Sequence, residues 1–186
     1  MPYNVVSIFS GGGGLDLGFA QEQYNIVWAI DNNENAVATY KANIGEHIIC
    51  SDINSIDLES IPKADVVIGG PPCQSFSLAG KRDVNDERGK LVWRYIQIIN
   101  QIQPKAFVFE NVPGLLSACP GDKPVRERIF EAFQAIGYDI RTPNKLKESI
   151  YCAEDFDVPQ KRNRIIIIGV KHGTGLDTEE FYKSLT

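Results

Sequence analysis

The sequence has few cysteines and no paired arrangement of them. Its four, Cys50, Cys73, Cys119 and Cys152, are widely spaced with no CxxC pair, which argues against a disulfide framework and a structural zinc site. No stretch long enough to cross a bilayer is free of charge, and the beginning, "MPYNVVSIFSGG", lacks the features of a secretory signal. We therefore expect a soluble, cytoplasmic protein with free thiols and no membrane partner.

An excess of positive charge is also lacking. The 186 residues carry a formal net charge of -5, which argues against a chain that coats nucleic acid through bulk electrostatics. Basic residues do gather in "KRDVNDERGKLVWR" (81–94) and "QKRNR" (160–164), where they are either solvated surface or local contact patches. The length and the 43% hydrophobic content favour one folded domain, which we place at residues 1–173, with a polar tail or helix at 174–186.

Apolar runs of strand length alternate with amphipathic helical stretches along the chain. This pattern predicts an α/β doubly wound fold with a mostly parallel sheet covered by helices on both faces. The predicted strands lie at 3–9, 25–30, 47–50, 64–70 and 105–110, followed by late strands within 138–146 and at 164–170, one of which could run antiparallel. The predicted helices begin near Leu15 and cover 34–44, 91–102 and 124–137.

Ligands of such sheets bind at the carboxyl ends of the strands, where this chain places glycines and acids. The first strand leads into "FSGGGG", a turn that lets a ligand approach a helix N-terminus. Asp31 and Asp52 follow the second and third strands, where they could accept hydrogen bonds from ribose hydroxyls and from an exocyclic amine. The pattern indicates a nucleoside site, although a plain turn and two helix-capping acids would give the same residues.

The glycine spacing disfavours a dinucleotide. The fingerprint GxGxxG would need a glycine at residue 16, which is Asp16. S-adenosylmethionine is a nucleoside without phosphates whose positive sulfonium suits nearby acids.

Cys73 follows the strand and double-proline break "VIGGPPC". A thiol becomes a good nucleophile when it is presented to solvent and positive charge or dipoles stabilise its thiolate. The strand end and the arginines and lysines downstream favour this interpretation for Cys73. The alternative is that a cysteine serves as a small buried hydrophobic residue, and we expect this role for Cys50 and Cys119.

Four motifs in register, "FSGGGGLDLGF", "GGPPCQSFS", "FENVPGLL" and "VPQKRNR", resemble the signature motifs of the DNA (cytosine-5)-methyltransferases over Val5 to about Val170. The resemblance implies a Rossmann-like methyltransferase fold and methyl transfer to C5 of cytosine through a covalent adduct between Cys73 and C6. It implies that Glu110 holds the N3 and amino edge of a base flipped out of the duplex. Arg164 would contact the base O2, and Arg162 would lie nearer the thiol. Gln74 to Lys90 would form a closing loop, and the DNA contacts implied are Gln74, Ser77, Arg88 and Gln160.

The resemblance also implies S-adenosylmethionine as the cofactor, S-adenosylhomocysteine as the product and no metal. The implied cofactor contacts are Phe9, Gly11, Gly12, Gly14, Asp31, Asn32, Asp52, Ile53, Pro72 and Leu91. Many relatives carry glutamate where this chain has Asp31, and the shorter acid can make the same contact after a small backbone adjustment.

The family's target-recognition region and its final motifs do not follow "QKRNR" here. We therefore expect a complementary polypeptide that carries them, the chain being a subunit of a split enzyme, a fragment or a truncated inactive product. The main hypothesis is a DNA cytosine methyltransferase for restriction-modification. The alternatives are an accessory S-adenosylmethionine-binding module that is inactive alone and an RNA cytosine methyltransferase, while a nicotinamide oxidoreductase would leave Cys73 and Glu110 unexplained.

Overall fold

The computed structural model describes residues 2–72, 87–119 and 122–184. Within these residues, eight strands form a mostly parallel sheet. Their order across the sheet is β3 (Ile48–Cys50), β2 (Asn25–Asp31), β1 (Asn4–Ile8), β4 (Val66–Gly69), β5 (Ala106–Asn111), β8 (Asn163–Lys171) and β6 (Tyr138–Asp139), and β7 (Ile150–Cys152) also pairs with β8. This architecture confirms the predicted α/β doubly wound class. By its internal contacts the chain divides into a first unit, which ends at Pro71 and resumes over Arg94–Val108, and a second unit, which holds Pro72–Trp93 and the residues from Phe109 onward.

The first unit is built on parallel strands whose side chains are almost all apolar. Val5, Val6 and Ile8 of the first strand are each 0% exposed, as expected for a strand covered on both faces. Gly69 ends the fourth strand beside Ile8, and a Cβ there would lie 2.2 Å from the Ile8 carbonyl oxygen, so only glycine fits. The strands are β1 (Asn4–Ile8), β2 (Asn25–Asp31), β3 (Ile48–Cys50) and β4 (Val66–Gly69).

Helices follow the strands at their carboxyl ends. In α1 (Gly14–Gln21), Gly13 is the N-cap residue, and α2 (Glu34–Asn43) is capped by Asn33, whose side chain accepts hydrogen bonds from the amides of Asn35 and Ala36. The helix α3 (Glu87–Ile102) leads into β5 (Ala106–Asn111).

The second unit adds α4 (Val125–Ala135), β6 (Tyr138–Asp139), β7 (Ile150–Cys152), β8 (Asn163–Lys171) and α5 (Thr178–Lys183). Both β6 and β7 run antiparallel to β8. The helix α5 is held by Arg141, whose guanidinium bonds both carboxylate oxygens of Glu179 at 3.1 Å and lies 3.6 Å from the centre of the Tyr182 ring. The Tyr182 hydroxyl accepts a hydrogen bond from the Ile168 amide at 2.7 Å.

Three local expectations were wrong. The strand predicted within 138–146 is only two residues long, because the chain soon reaches Pro143, which has no amide hydrogen for a ladder. The short strand β7 was not predicted. Residues 87–90, expected at the end of a closing loop, instead form the first turn of α3.

The cysteines also depart from expectation. Cys50 and Cys119 are exposed rather than buried, Cys50 because it ends the edge strand β3 and Cys119 because it lies in an irregular segment after β5. Among the described residues, no helix is long and apolar enough to cross a membrane. The same part of the chain contains no group of three histidine, cysteine or acidic side chains that could hold a metal ion.

Candidate functional site

The glycine-rich turn after β1 has an unusual backbone. Phe9 adopts a φ of 58°, a left-handed conformation that is costly for a bulky side chain and is concentrated at functional sites in proteins. The Ser10 amide donates to the Ile30 carbonyl at 3.1 Å, which ties the turn to β2. No side chain caps α1 at Gly13, so the first turn of this helix presents backbone N–H groups that a ligand or water can bind. Gly12 and Gly14 are exposed beside it.

Asp31, the last residue of β2, holds this turn in place. Its Oδ2 accepts a hydrogen bond from the Gly11 amide at 2.8 Å, and its Oδ1 accepts one from the Asn33 amide at 2.9 Å. Asn33 rather than Asp31 caps α2, and Asn32 between them is exposed. Because each carboxylate oxygen can accept two hydrogen bonds, Asp31 retains acceptor capacity for ribose hydroxyls.

Asp52 is both a cap and a candidate ligand. It precedes the 3-10 turn Ile53–Ser55, and its Oδ1 accepts a hydrogen bond from the Asn54 amide at 2.9 Å. Its Oδ2 accepts no hydrogen bond from the described residues and is available to a donor such as an exocyclic amine. The Ile53 side chain is only 4% exposed, so any ligand contact there would be through the backbone.

A buried polar network lies beneath the glycine-rich turn. Asp16 in α1 is 0% exposed and accepts hydrogen bonds from the Tyr40 hydroxyl at 2.8 Å and the Ser7 hydroxyl at 2.9 Å. The Tyr40 hydroxyl also lies 2.9 Å from Nε2 of His47. Burial raises the pKa of the Asp16 carboxyl, and the hydrogen bonds from Tyr40 and Ser7 oppose the rise. Burial and the neighbouring Asp16 raise the pKa of Tyr40 as well.

The first unit therefore has hydrogen-bonding groups of the kind that a nucleoside site needs. Asp31 and Asp52 supply acceptors for hydroxyl and amine donors, and the uncapped start of α1 supplies donors for an anionic group. These groups fit S-adenosylmethionine, which combines a nucleoside with an amino-acid carboxylate.

The second unit brings together two residues that are 54 positions apart in the sequence. Glu110, next to last in β5, and Arg164, the second residue of β8, form an ion pair with 2.8 Å between Oε1 and Nε. The Nη1 group of Arg164 donates to the Asn163 carbonyl at 2.8 Å. Both paired side chains are about a quarter exposed, at 28% and 26%, so the pair is open to a ligand.

The other site residues predicted in this unit are more peripheral. Gln160 and Arg162 are exposed in the segment before β8, where the Arg162 carbonyl accepts a hydrogen bond from the Ala153 amide at 2.8 Å. Pro72 is exposed and Leu91 in α3 is half-buried. Arg88 lies in the first turn of α3. Cys73, Gln74 and Ser77 lie outside the described residues.

Sequence reasoning missed Asp16 and Arg94. Asp16 was used only to exclude a dinucleotide fingerprint, although an acid one turn into an otherwise apolar helix start is a signal of a buried polar network. Arg94 carries no comparable signal, because its partners are backbone carbonyls about 40 residues away in the sequence.

The model of the C-5 cytosine-specific DNA methylase family matches residues 3–185. The chain belongs to this family. Its curated relatives include the Type II methyltransferases M.FnuDI of Fusobacterium nucleatum, 39% identical over 95% of this chain and 49% of the relative, and M.AquIA of Picosynechococcus, 37% identical over 93% and 74%. The chain spans about half the length of most of the curated relatives it matches.

Two solved methyltransferase structures share the fold of the chain. A crystal structure described as a DNA modification methyltransferase encoded within an E. coli prophage matches with a TM-score of 0.75 and 29% identity, over 94% of this chain and 48% of the other. The Dnmt2 methyltransferase of S. pombe matches with a TM-score of 0.73 over 94% and 53%, and at 23% identity it supports the fold alone. The family assignment made from the four motifs is therefore confirmed.

Proposed function

We propose that this methylase-family chain transfers a methyl group from S-adenosylmethionine to C5 of cytosine in DNA, in the bacterial cytoplasm, as part of a restriction-modification system. The ion pair of Glu110 with Arg164 is the observation that carries the proposal. A carboxyl group held by a guanidinium and still partly exposed suits the polar edge of a base better than it suits a structural role, since an exposed ion pair adds little stability. Membership of the methylase family and similarity to Type II methyltransferases support the substrate class.

The chemical problem is that C5 of cytosine is a weak nucleophile. In the proposal, the Cys73 thiolate adds to C6, and the electrons of the C5–C6 double bond shift through C4 toward N3. Glu110 delivers a proton or a strong hydrogen bond to N3, where the charge develops. Arg164 keeps the Glu110 carboxyl oriented through Nε, and its Nη2 group, which donates no hydrogen bond to the described residues, is available to the base O2. Arg162 supplies positive charge toward the thiol, which favours the thiolate.

S-adenosylmethionine supplies the electrophilic methyl group when it is bound. Once the methyl carbon has exchanged its bond to sulfur for a bond to C5, which leaves S-adenosylhomocysteine, the proton on C5 leaves to water and the Cys73 thiolate is expelled from C6, which restores the aromatic ring. The proton on N3 returns to Glu110, so the acid is regenerated for the next turnover. We propose that Phe9, Gly11, Gly12, Gly14, Asn32, Pro72 and Leu91, together with Asp31, Asp52 and Ile53, form the cofactor contacts.

The DNA side of the proposal involves residues of this chain and a second polypeptide. The base must leave the duplex to reach Cys73 and Glu110, and we propose that Gln74, Ser77, Arg88 and Gln160 contact the DNA around it. We propose further that a complementary polypeptide reads the target sequence. The share of each relative that this chain covers supports the second polypeptide. The chain covers about half of M.FnuDI but 74% of M.AquIA, so M.AquIA is the shorter of these two relatives.

The test is covalent trapping on a DNA duplex that contains 5-fluorocytosine, in the presence of S-adenosylmethionine. Fluorine at C5 cannot leave as a proton does, so the adduct accumulates and peptide mass spectrometry locates it. We expect the adduct on Cys73, its loss in Cys73→Ser, and its retention in Cys119→Ser, which removes an exposed thiol outside the proposed site. The reaction is run with the chain alone and with a second polypeptide that carries the remainder of a full-length relative.

Each outcome separates the candidate functions. An adduct with the chain alone makes the 186 residues catalytically sufficient, and an adduct only with the second polypeptide identifies a split enzyme. An adduct on a single-stranded RNA but not on DNA would replace DNA by RNA as the substrate. If S-adenosylhomocysteine binds but no adduct forms in any arm, the chain is an accessory cofactor-binding module and the catalytic proposal is wrong.

A further inference from the structure

Arg94 contacts the segment that carries Asp52 without itself reaching the candidate ligand groups. It lies in the middle of α3, and its Nε donates a hydrogen bond to the Ile53 carbonyl at 3.2 Å. Its Nη2 donates a second hydrogen bond to the Ile56 carbonyl. Both carbonyls belong to the five residues that begin at Asp52, and all of these groups lie within the first unit.

This segment has mainly local bonds of its own. The Ser55 amide and hydroxyl bond the Asp52 carbonyl at 3.0 and 2.7 Å, and Oδ1 of Asp52 bonds the Asn54 amide. These bonds shape the turn, and the Ser51 amide, which donates to the Asp31 carbonyl at 3.0 Å, ties only its beginning to β2. The two bonds from Arg94 come from 41 and 38 residues away and tie the turn to a long helix.

We propose that Arg94 is a positioning residue for recognition of the cofactor's nucleobase. Its planar guanidinium presents two donors in a fixed fork, and by holding the Ile53 and Ile56 carbonyls together it sets where the free Oδ2 of Asp52 lies. The inference rests on the proposed S-adenosylmethionine site and assigns this site a residue outside the family motifs quoted above. Its specific consequence is that Arg94 controls the preference for an exocyclic amine over a carbonyl at the same position of the purine.

Lys63 provides a matched control. Its ammonium also donates to a backbone carbonyl of the first unit, that of Gln101 near the end of α3, seven residues beyond Arg94 in the sequence. Removal of either cation deletes a side-chain bond to the backbone, but only the loss of Arg94 frees the turn after Asp52. Arg94→Met and Lys63→Met keep most of each apolar stem, so the comparison isolates the donors.

The experiment is calorimetric titration of the 186-residue chain with S-adenosylhomocysteine and with S-inosylhomocysteine, in which a carbonyl replaces the exocyclic amine. Neither ligand requires DNA or a second polypeptide. The quantity of interest is the dissociation constant of S-inosylhomocysteine divided by that of S-adenosylhomocysteine. This ratio is measured for the wild type, Arg94→Met, Lys63→Met, Asp52→Asn and the double variant Arg94→Met/Asp52→Asn. The melting temperature of each variant is recorded in parallel.

We expect Arg94→Met to weaken S-adenosylhomocysteine binding by about tenfold, the loss typical of a hydrogen bond to a charged group. S-inosylhomocysteine binding should change less, so that the ratio falls toward that of Asp52→Asn. The double variant should be no worse than Asp52→Asn, because the two residues act through one contact. Lys63→Met should lower the melting temperature and leave the ratio at the wild-type value.

Arg94→Lys gives a second reading if the methionine variant does not fold, because one ammonium cannot reproduce the fork; we expect an intermediate ratio. A wild-type ratio in Arg94→Met or Arg94→Lys, with only the melting temperature reduced, would show that the residue is structural and overturn the inference while the proposed function stands. Failure of the wild type to bind S-adenosylhomocysteine would overturn the proposed function and this inference together.

Discussion

Nε of Arg164 lies 2.8 Å from Oε1 of Glu110, and this ion pair links the end of β5 to the start of β8. This ion pair gives the carboxyl group a fixed guanidinium neighbour and so favours one orientation of it. An isolated surface acid would have no such orientation. The pair therefore couples a candidate proton donor to the basic segment "QKRNR", two motifs that are far apart along the chain.

Glu110→Gln should abolish most methyl transfer. The amide keeps the shape of the side chain but cannot deliver a proton to N3, and general acid catalysis commonly contributes about 10²- to 10⁴-fold. We expect a rate loss of this order, with the dissociation constant for S-adenosylhomocysteine unchanged. The rate is measured by transfer of a labelled methyl group to a DNA duplex, in whichever form of the protein gives the 5-fluorocytosine adduct.

Asp65→Asn is the control for this variant. Asp65 pairs with Lys105 at 2.9 Å and has the same 28% side-chain exposure as Glu110, but it precedes β4 at the amino end of the sheet. A similar rate loss in both variants would mean that ion-pair removal acts through stability, which would contradict the proposed role of Glu110.

Gly13→Ala should destabilise the protein, whereas Gly18→Ala should not. Gly13 has a φ of 88°, and a Cβ there would lie 2.1 Å from Cδ1 of Ile44 and 2.8 Å from Cδ2 of Tyr40. The left-handed backbone and the overpacking together should cost about 2 to 4 kcal/mol. Gly18 lies within α1 with nothing inside 4 Å of its Cβ position, so alanine should add about 0.5 to 1 kcal/mol of stability. Urea unfolding measures both, and equal effects of the two changes would refute this packing argument.

Asp31→Asn should weaken cofactor binding through the glycine-rich turn. Both carboxylate oxygens accept backbone N–H groups, from Gly11 and Asn33, so an amide nitrogen would have to face one of these donors. We expect S-adenosylhomocysteine to bind about tenfold more weakly or worse, as measured by calorimetry. Asp57→Asn is the comparison, since Asp57 accepts one bond, from the Glu59 amide at 3.1 Å, and its amide oxygen can keep it. Unchanged affinity in Asp31→Asn would exclude this role for Asp31.

The sequence predicted the parts of the fold that depend on local pattern. The apolar runs of β1 and β8 lie in the sheet as expected, because a strand covered on both faces must be almost entirely apolar. The strand β7 was missed because it is three residues long and owes its existence to pairing with β8, in which Tyr151 lies opposite Arg164. The first turn of α3, "ERGK", was missed because it is wholly polar apart from its glycine.

The candidate site shows the same division. The motifs predicted that Glu110 and Arg164 both lie at the active site, but their direct ion pair depends on contacts between distant parts of the chain, which the motifs do not show. Likewise, Asp31 and Asp52 were identified as ligands or caps, and the structure shows Asp31 tying the turn to β2 and Asp52 capping a 3-10 turn. Arg94 acts on backbone carbonyls, which every residue has, so no sequence pattern could identify its partners.

The stability of the protein should depend on pH through Asp16 in a direction opposite to that of most carboxylates. Burial raises the pKa of this carboxyl above 3.8, so the folded state binds its proton more tightly than the unfolded chain does. The free energy of unfolding that Asp16 contributes is therefore fully present below pH 3.8 and is lost as the pH rises through the folded-state pKa. Above that pKa the buried carboxylate depends on the Tyr40 and Ser7 hydroxyls.

Asp16→Asn should remove this dependence, because the amide can accept from Tyr40 and donate to Ser7 without titrating. We expect the difference in unfolding free energy between the wild type and Asp16→Asn to shift against the wild type as the pH rises from about 4, measured by urea unfolding across a pH series. For Asp65→Asn, the difference in unfolding free energy should instead shift in favour of the wild type as the pH rises. The hydrogen bond with Lys105 lowers the pKa of Asp65, so its contribution is present above 3.8 and is lost as the pH falls through the folded-state pKa. Parallel curves for the wild type and Asp16→Asn would mean that the Asp16 proton has no part in the stability of the network under the glycine-rich turn.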